Sequence, residues 1–317
     1  VFIGGGTPSV PECDVMEKLL QGLRDYFLFS ADAEVTIEAN PGTLTPEKLS
    51  IYRKYGINRI SIGLQSPNNK ELAMLGRIHN YAQFLESFQM AREAGFSNIN
   101  VDLMFAIPGQ CYEGWIENLR MVAALGPEHI SAYSLIIEEG TPFSRKKLDL
   151  PDEDTEYRMY EDVAAVLKEY DYHQYEISNY AKAGYECRHN EGYWQRKDYL
   201  GLGLGAASLL GKERFSNTSD MQEYLKNSSA PEKIRKNREL LTREDEMAEF
   251  MFLGLRMTQG VSKKEFQEYF GTVIENIYGE VLKKYKKQGL LLEESGRIFL
   301  SREGIHVSNA VMADFLL

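Results

Sequence analysis

Arg59-Ile60-Ser61-Ile62-Gly63-Leu64 decides the fold class. The run is short, β-favouring and mostly apolar, as expected of a strand covered on both faces. Ile99-Asn100-Val101-Asp102-Leu103-Met104-Phe105 reads the same way. Residues 1–4, 34–39 and 129–136 are further β-rich runs. Amphipathic stretches fit between them at 17–27, 46–55, 81–94 and 112–125. Strands alternating with helices imply a parallel sheet joined by right-handed crossovers. Five such units are fewer than an eight-stranded barrel needs. The expectation is an α/β fold, a partial (β/α)6 barrel lacking its first strand. A doubly wound sheet is the alternative, and periodicity alone does not separate the two.

The outermost run sets up that missing strand. Val1-Phe2-Ile3-Gly4-Gly5-Gly6-Thr7-Pro8-Ser9 is a strand that runs into a triple-glycine turn, with nothing before it. A strand that begins at residue 1 is expected to have had a neighbour, as in a piece of a longer protein.

Beyond Gly140 the pattern changes. Residues 151–170 read as a long helix, 174–178 as a further strand and 227–231 as a linker. The glycine- and alanine-rich stretch 199–210 implies close backbone packing. From about residue 242 a small helical domain follows. Its helices are expected at 244–257, 262–270 and 274–288, with Thr242-x-x-Asp245 and Ser262-x-x-Glu265 as starts and Gly289 as a stop. A hairpin around Ser295-Gly296 and a last helix over 302–316 complete it.

The net charge of -11 argues against general affinity for nucleic acid or anionic membrane, since both need phosphate neutralisation by basic residues. No apolar run approaches a membrane span. The basic run Lys283–Lys287 beside the hairpin allows a winged-helix nucleic-acid reading, but Glu293, Glu294 and many other acids oppose it. Cys13, Cys111 and Cys187 are odd in number, widely spaced and form no CxxC pair. That fits a reducing, cytoplasmic setting and no self-contained metal centre.

In parallel α/β folds, ligands bind at the carboxyl ends of the strands. The residues there are Gly4-Gly5-Gly6-Thr7, Glu38, Gln65 with Arg77 beyond it, Asp102, and Ser134 before Glu138-Glu139-Gly140. Exposed backbone, two carboxylates, an amide and an arginine suit a zwitterionic, hydroxylated ligand. Arginine can pair with a carboxylate, and acidic side chains can accept from an ammonium or from hydroxyls. The bland reading makes Glu38 a cross-strand partner of Arg59 or Arg77. The glycines lack the order of a P-loop or a dinucleotide fingerprint.

A second cluster is Cys187-Arg188-His189-Asn190-Glu191-Gly192-Tyr193-Trp194. An imidazole beside large flat aromatics suits a flat, metal-bearing ligand such as haem, with Asn190 orienting the ring. The competing reading is a satisfied histidine with core aromatics.

In order along the chain, these segments resemble the radical S-adenosylmethionine coproporphyrinogen-oxidase family, and most closely its haem-chaperone, HemW-like branch. Gly4–Ser9 resembles the motif that meets the methionine part of S-adenosylmethionine. Glu34–Pro41, Ile62–Ser66, Leu75–Asn80, Asp102–Gln110 and Tyr175–Ala181 are similar to the segments that follow. The resemblance implies a radical-SAM partial barrel over 1–140, its completion over 141–230 and a HemN-type helical domain over 231–317. It implies that Gly5, Gly6, Thr7, Glu38, Gln65, Arg77 and Asp102 line the S-adenosylmethionine site, with Arg77 on the ligand's carboxylate. His189, Asn190, Tyr193 and Trp194 match the HNxxYW motif and would be haem contacts. The family's [4Fe-4S] cluster sits on a CxxxCxxC loop, expected upstream of Val1. The function implied is haem binding and delivery to a haemoprotein. The alternative is oxygen-independent coproporphyrinogen III oxidase, an enzyme of porphyrin biosynthesis.

Overall fold

A computed structural model describes all 317 residues, Val1–Leu317. They form two compact units, Val1–His189 and Asn190–Leu317.

The first unit is a curled sheet with helices on its outer face. In chain order it contains β1 (Phe2–Ile3), α1 (Cys13–Tyr26), β2 (Thr36–Ala39), α2 (Pro46–Lys54), β3 (Arg59–Gln65), α3 (Asn69–Met74), α4 (Tyr81–Glu93), β4 (Ile99–Phe105), α5 (Tyr112–Ala123), β5 (His129–Ser134), α6 (Glu153–Lys168), β6 (His173–Glu176) and β7 (Asn179–Ala181). The strand order is β1-β2-β3-β4-β5-β7-β6, with β1 to β5 all parallel.

The sixth strand position departs from the expectation. The strand expected at 174–178 is β6, but a tight turn returns the chain as a further strand, β7, and it is β7 that pairs antiparallel with β5. Two residues separate β6 from β7, which leaves no length for the crossover that parallel pairing requires. The architecture is a partial radical-SAM-type barrel of five parallel strands closed off by that hairpin.

Local signals set the helix starts. Thr45 caps α2 ahead of Pro46, and Asn80 with Gln83 forms a capping box on α4. All seven residues of β3 are buried. Ile60, Ile62 and Leu64 belong to the apolar core with Ile37, Val101, Leu103, Phe84 and Trp115. The alternate residues carry polar side chains or none: Arg59, Ser61, Gly63 and Gln65 in β3, Asn100 and Asp102 in β4, and His129, Ser131 and Tyr133 in β5. Period-two alternation therefore gives the barrel a polar interior and an apolar exterior under the helices.

Helix α7 (Arg188–Trp194) spans the boundary between the units. The second unit continues with β8 (Ala207–Leu210), β9 (Glu213–Asn217), α8 (Met221–Asn227), α9 (Pro231–Ile234) and β10 (Arg235–Leu240). Strands β10, β9 and β8 form one small antiparallel sheet, so pairing continues across the expected linker at 227–231. A Cβ on Gly201 would lie 2.1 Å from the Ala207 carbonyl oxygen, which is the close backbone packing expected there.

Then come α10 (Arg243–Gly254), β11 (Val261–Ser262), α11 (Lys263–Phe270), α12 (Ile274–Lys287), β12 (Leu291–Glu294), β13 (Arg297–Leu300), α13 (Arg302–His306) and α14 (Ser308–Ala313). Thr242 and Asp245 form the expected capping box, Ser262 caps α11, and Gly289 lies just past the C-cap of α12 with φ +73°. Three helices followed by the β12–β13 hairpin make a winged-helix-like domain around Phe266, Ile274, Tyr278 and Phe315. The single last helix expected over 302–316 is two short ones, broken at Val307, whose φ and ψ of -104° and 22° are not helical.

Candidate functional site

The carboxyl ends of the strands surround a cleft lined by Gly6, Thr7, Glu38, Asn40, Ser61, Gly63, Gln65 and Asp102. Gly5 and Gly6 turn the chain there with φ of +84° and +69°, a conformation side chains disfavour. Gly4 is required for space as well. A Cβ on it would lie 2.7 Å from the Phe2 ring and 2.9 Å from the Glu38 carboxyl. The Gly5 N–H donates to Glu38 Oε2 at 3.1 Å, and Asn40 Nδ2 donates to Thr7 Oγ1 at 3.0 Å.

Gln65 is reached through an irregularity in β3, where the register with β4 shifts between Ile62 and Gln65. It holds φ at +69°, which turns it off the regular strand. Its Oε1 is buried with no hydrogen-bond partner. Behind it, Glu71 Oε2 accepts from Ser66 Oγ at 2.5 Å, Gln110 Nε2 at 3.0 Å and Asn118 Nδ2 at 2.9 Å. That buried cluster fastens the turn after β3.

Asp102 Oδ1 accepts from Asn100 Nδ2 at 2.7 Å, and Oδ2 accepts from Ser61 Oγ at 3.2 Å. Burial pushes the Asp102 carboxyl above its usual range. Burial does the same to Glu38, with the charge of Asp102 adding to it. Neither carboxylate has an ion-pair partner. Two carboxylates, an orphaned amide oxygen and a glycine cradle fit a ligand that carries cationic and hydroxyl donors. S-adenosylmethionine is such a ligand.

Arg77 does not join this lining. It lies exposed on the turn between α3 and α4, without an ion pair, and its charge acts on Tyr133 and His79. Gly5 touches the cleft through Glu38. Asn40 follows β2 at a strand end, where the lining was expected, whereas Ser61 and Tyr133 lie within strands, where a search of strand ends overlooks them. Tyr133 OH is 3.5 Å from Gln65 Nε2, and burial holds the phenol protonated well above its usual range. Their signal was the polar alternation within the strands.

His189 sits at the opposite, amino-terminal end of the strands. Glu34, just before β2, accepts from the N–H groups of Arg188 and His189 at 3.1 and 3.2 Å. It thereby satisfies free amides of the first turn of α7. The His189 ring stacks on Phe2 at 4.3 Å and 16°. Burial is the largest cause that lowers its pKa, to about 4. A neutral imidazole is the form that binds iron, so this residue fits a haem ligand.

Within the second unit, Tyr193 packs edge-on against Tyr199 at 4.6 Å. Arg256 lies over the Trp194 ring at 4.3 Å, and the Trp194 Nε1 is buried without a partner. Asn190 is half-buried beside them on α7.

The low pKa of His189 has a measurable consequence. The folded chain stays unprotonated at this ring from pH 6.5 down to about 4, whereas the unfolded chain takes up the proton. Stability is therefore full above pH 6.5 and declines as pH falls through that window. Burial lowers the pKa of His129 in the same direction. His189→Phe is expected to flatten the acid limb of a urea-midpoint-against-pH curve between pH 6.5 and 4. An unchanged limb would show that His189 is not held neutral.

Cys13, Cys111 and Cys187 are all free thiols, and no three metal-ligating side chains converge. The residues of this chain do not fit a [4Fe-4S] cluster.

Comparison with known proteins agrees with this layout. Residues 1–122 match the radical SAM superfamily, and residues 241–307 match the HemN C-terminal domain. Among similar curated proteins is the haem chaperone HemW of Bacillus subtilis, 37% identical over 321 residues, covering 100% of this chain and 85% of that protein. The haem chaperone HemW of Escherichia coli is 36% identical over 314 residues, covering 95% of this chain and 82% of that protein. The solved coproporphyrinogen III oxidase HemN of Escherichia coli superposes with a TM-score of 0.86 at 23% identity, over 99% of this chain and 77% of that one. That last likeness shows the fold alone. Radical SAM proteins use S-adenosylmethionine and a [4Fe-4S] cluster. With matches of this identity and coverage, the chain belongs to the radical SAM superfamily and, within it, to the HemW haem-chaperone family.

Proposed function

We propose that this protein binds haem through His189 and delivers it to an acceptor haemoprotein in the cytoplasm, with S-adenosylmethionine held in the cleft at the other end of the barrel. The observation that carries the reading is His189 itself. Its ring stacks on Phe2 at the start of the HNxxYW helix, its backbone N–H donates to Glu34, and burial favours the neutral imidazole.

In the cleft, Glu38 and Asp102 would accept from the cationic and hydroxyl donors of S-adenosylmethionine. The glycine turn would let backbone approach it, and the Gln65 Oε1 would find its missing donor. When bound together, S-adenosylmethionine and the cluster supply radical chemistry in this superfamily. The residues of this chain hold, orient and shield the ligand. Arg77, exposed on its turn, is assigned to the ligand's carboxylate, which would extend out of the cleft. Asn190, Tyr193 and Trp194 are assigned to the haem with His189.

Haem transfer tests the reading. The haem-loaded protein, mixed with an apo-haemoprotein and followed by the acceptor's Soret band, is expected to hand over haem. His189→Ala, loaded at the same haem concentration, should deliver several-fold less. Equal transfer by both would remove His189 from the function.

A further inference from the structure

Under the cleft, the barrel interior holds a line of polar side chains that the ligand contacts do not explain. Asn100, His129 and Tyr175 are 2%, 0% and 5% exposed. Asn100 Nδ2 donates to Asp102 Oδ1 at 2.7 Å and to Ser61 Oγ at 2.7 Å. His129 Nδ1 lies 2.6 Å from Asn100 Oδ1, and His129 Nε2 lies 2.8 Å from Tyr175 OH. The Cys187 N–H donates to Tyr175 OH at 3.2 Å. The next two amides, of Arg188 and His189, donate to Glu34.

The direction of each bond is fixed. With its amide nitrogen facing Asp102, Asn100 presents its oxygen to His129, and that oxygen can only accept. The opposite orientation would set an amide oxygen against a carboxylate. His129 therefore carries its proton on Nδ1. Burial and the charge of Arg59 keep the ring neutral, so Nε2 offers a lone pair. Tyr175 must donate to it, and the tyrosine oxygen accepts from Cys187. Ser131 Oγ adds a second donor to Asn100 Oδ1 at 3.2 Å. The result is a one-way chain, from the Cys187 amide through Tyr175, His129 and Asn100 to the Asp102 carboxylate. Each member polarises the next. None of its buried members can reverse without leaving a polar atom unpaired.

We propose that His129 and Tyr175 are positioning residues that couple the Asp102 end of the cleft to the turn carrying His189, so that filling the cleft and engaging His189 are linked. The inference rests on the proposed function for the identity of the two ligands. The chain explains why a histidine and a tyrosine, 46 residues apart, occupy the fully buried floor of the barrel. Apolar side chains of similar size would fill that space without any need for exact partners.

Hydrogen exchange reads the coupling without depending on haem. In the intact protein, saturating S-adenosylmethionine is expected to slow exchange of the amides at 187–189 roughly tenfold, within the usual range of coupling between sites. Tyr175→Phe removes one hydroxyl and cuts the chain. It should bring that ratio below about twofold while the variant still melts cooperatively and still binds S-adenosylmethionine. A wild-type protein that binds S-adenosylmethionine with no change at 187–189 would overturn the coupling alone. So would a Tyr175→Phe protein that keeps the tenfold response. No thermal shift with S-adenosylmethionine would overturn the reading of the cleft as well. If Tyr175→Phe does not fold, the wild-type protein decides the question. Haem and S-adenosylmethionine must then change each other's affinity by the same factor, and a factor of one overturns the proposal.

Discussion

Asp102→Asn is expected to weaken S-adenosylmethionine binding roughly 10- to 150-fold, which corresponds to one charge-assisted hydrogen bond of about 1.5–3 kcal/mol. The substitution keeps the volume and removes the charge. In the wild type, both carboxylate oxygens are held by donors from the barrel interior, Asn100 and Ser61. No ion pair of the protein involves it, and Arg59 acts on it only through its charge. An asparagine would turn either its NH2 against the Asn100 NH2 or its oxygen away from the ligand. Burial raises the Asp102 carboxyl, so affinity in the wild type should also fall on acidification as the carboxylate takes up a proton. Asp102→Asn should lose part of that pH dependence. Calorimetric titration across pH checks both. Equal affinity in Asp102→Asn and wild type would move the ligand elsewhere in the cleft.

Glu249→Ala is expected to destabilise the second unit by about 3–5 kcal/mol, the usual cost of removing one partner from a buried ion pair. Glu249 Oε2 accepts from Arg196 Nε at 2.7 Å and Oε1 from Arg214 at 2.6 Å. Glu246 completes the network, with Arg196 at 3.2 Å and Lys212 at 2.8 Å. The side chains of Arg196, Glu246 and Glu249 are only 7%, 5% and 6% exposed. Arg196 also holds φ at +55°, a strained conformation for an arginine just past α7. Without Glu249, a buried guanidinium keeps one partner of two. The exposed pair Lys264–Glu268, at 83% and 64% exposure, is the control. Its removal is expected to change stability by less than about 1 kcal/mol. Urea unfolding of the two variants should separate them clearly. Similar midpoints would mean that the network is not a buried one in solution.

The strand runs and the alternation of β and α elements were legible from Ile60, Ile62 and Leu64 and their counterparts in β4. So were the cleft residues Gly6, Thr7, Glu38, Gln65 and Asp102, because ligand sites in such folds follow strand ends. Tyr133 and Ser61 lie inside strands and were overlooked, although His129, Ser131 and Tyr133 alternate with apolar residues. The strand at 174–178 was legible as β6, but the three-residue β7 that follows it was not, because it is defined only by its pairing with β5 and β6. Arg77 was placed at the rim by its position after the third strand, and the resemblance added its role on the ligand's carboxylate. Its backbone follows Gly76, which turns at φ +70°, and the turn leaves the side chain in solvent. Glu34 as the cap of His189, and Tyr175 as the partner of His129, are tertiary contacts across 155 and 46 residues. No local pattern encodes such pairs.

Haem titration tests the central claim most directly. Ferric haem added to the intact protein and to His189→Ala is followed by the Soret band. A saturable band with a shifted maximum is expected in the wild type, with at least a tenfold weaker affinity or an altered spectrum in His189→Ala. Superimposable spectra and affinities for the two proteins would contradict haem ligation by His189.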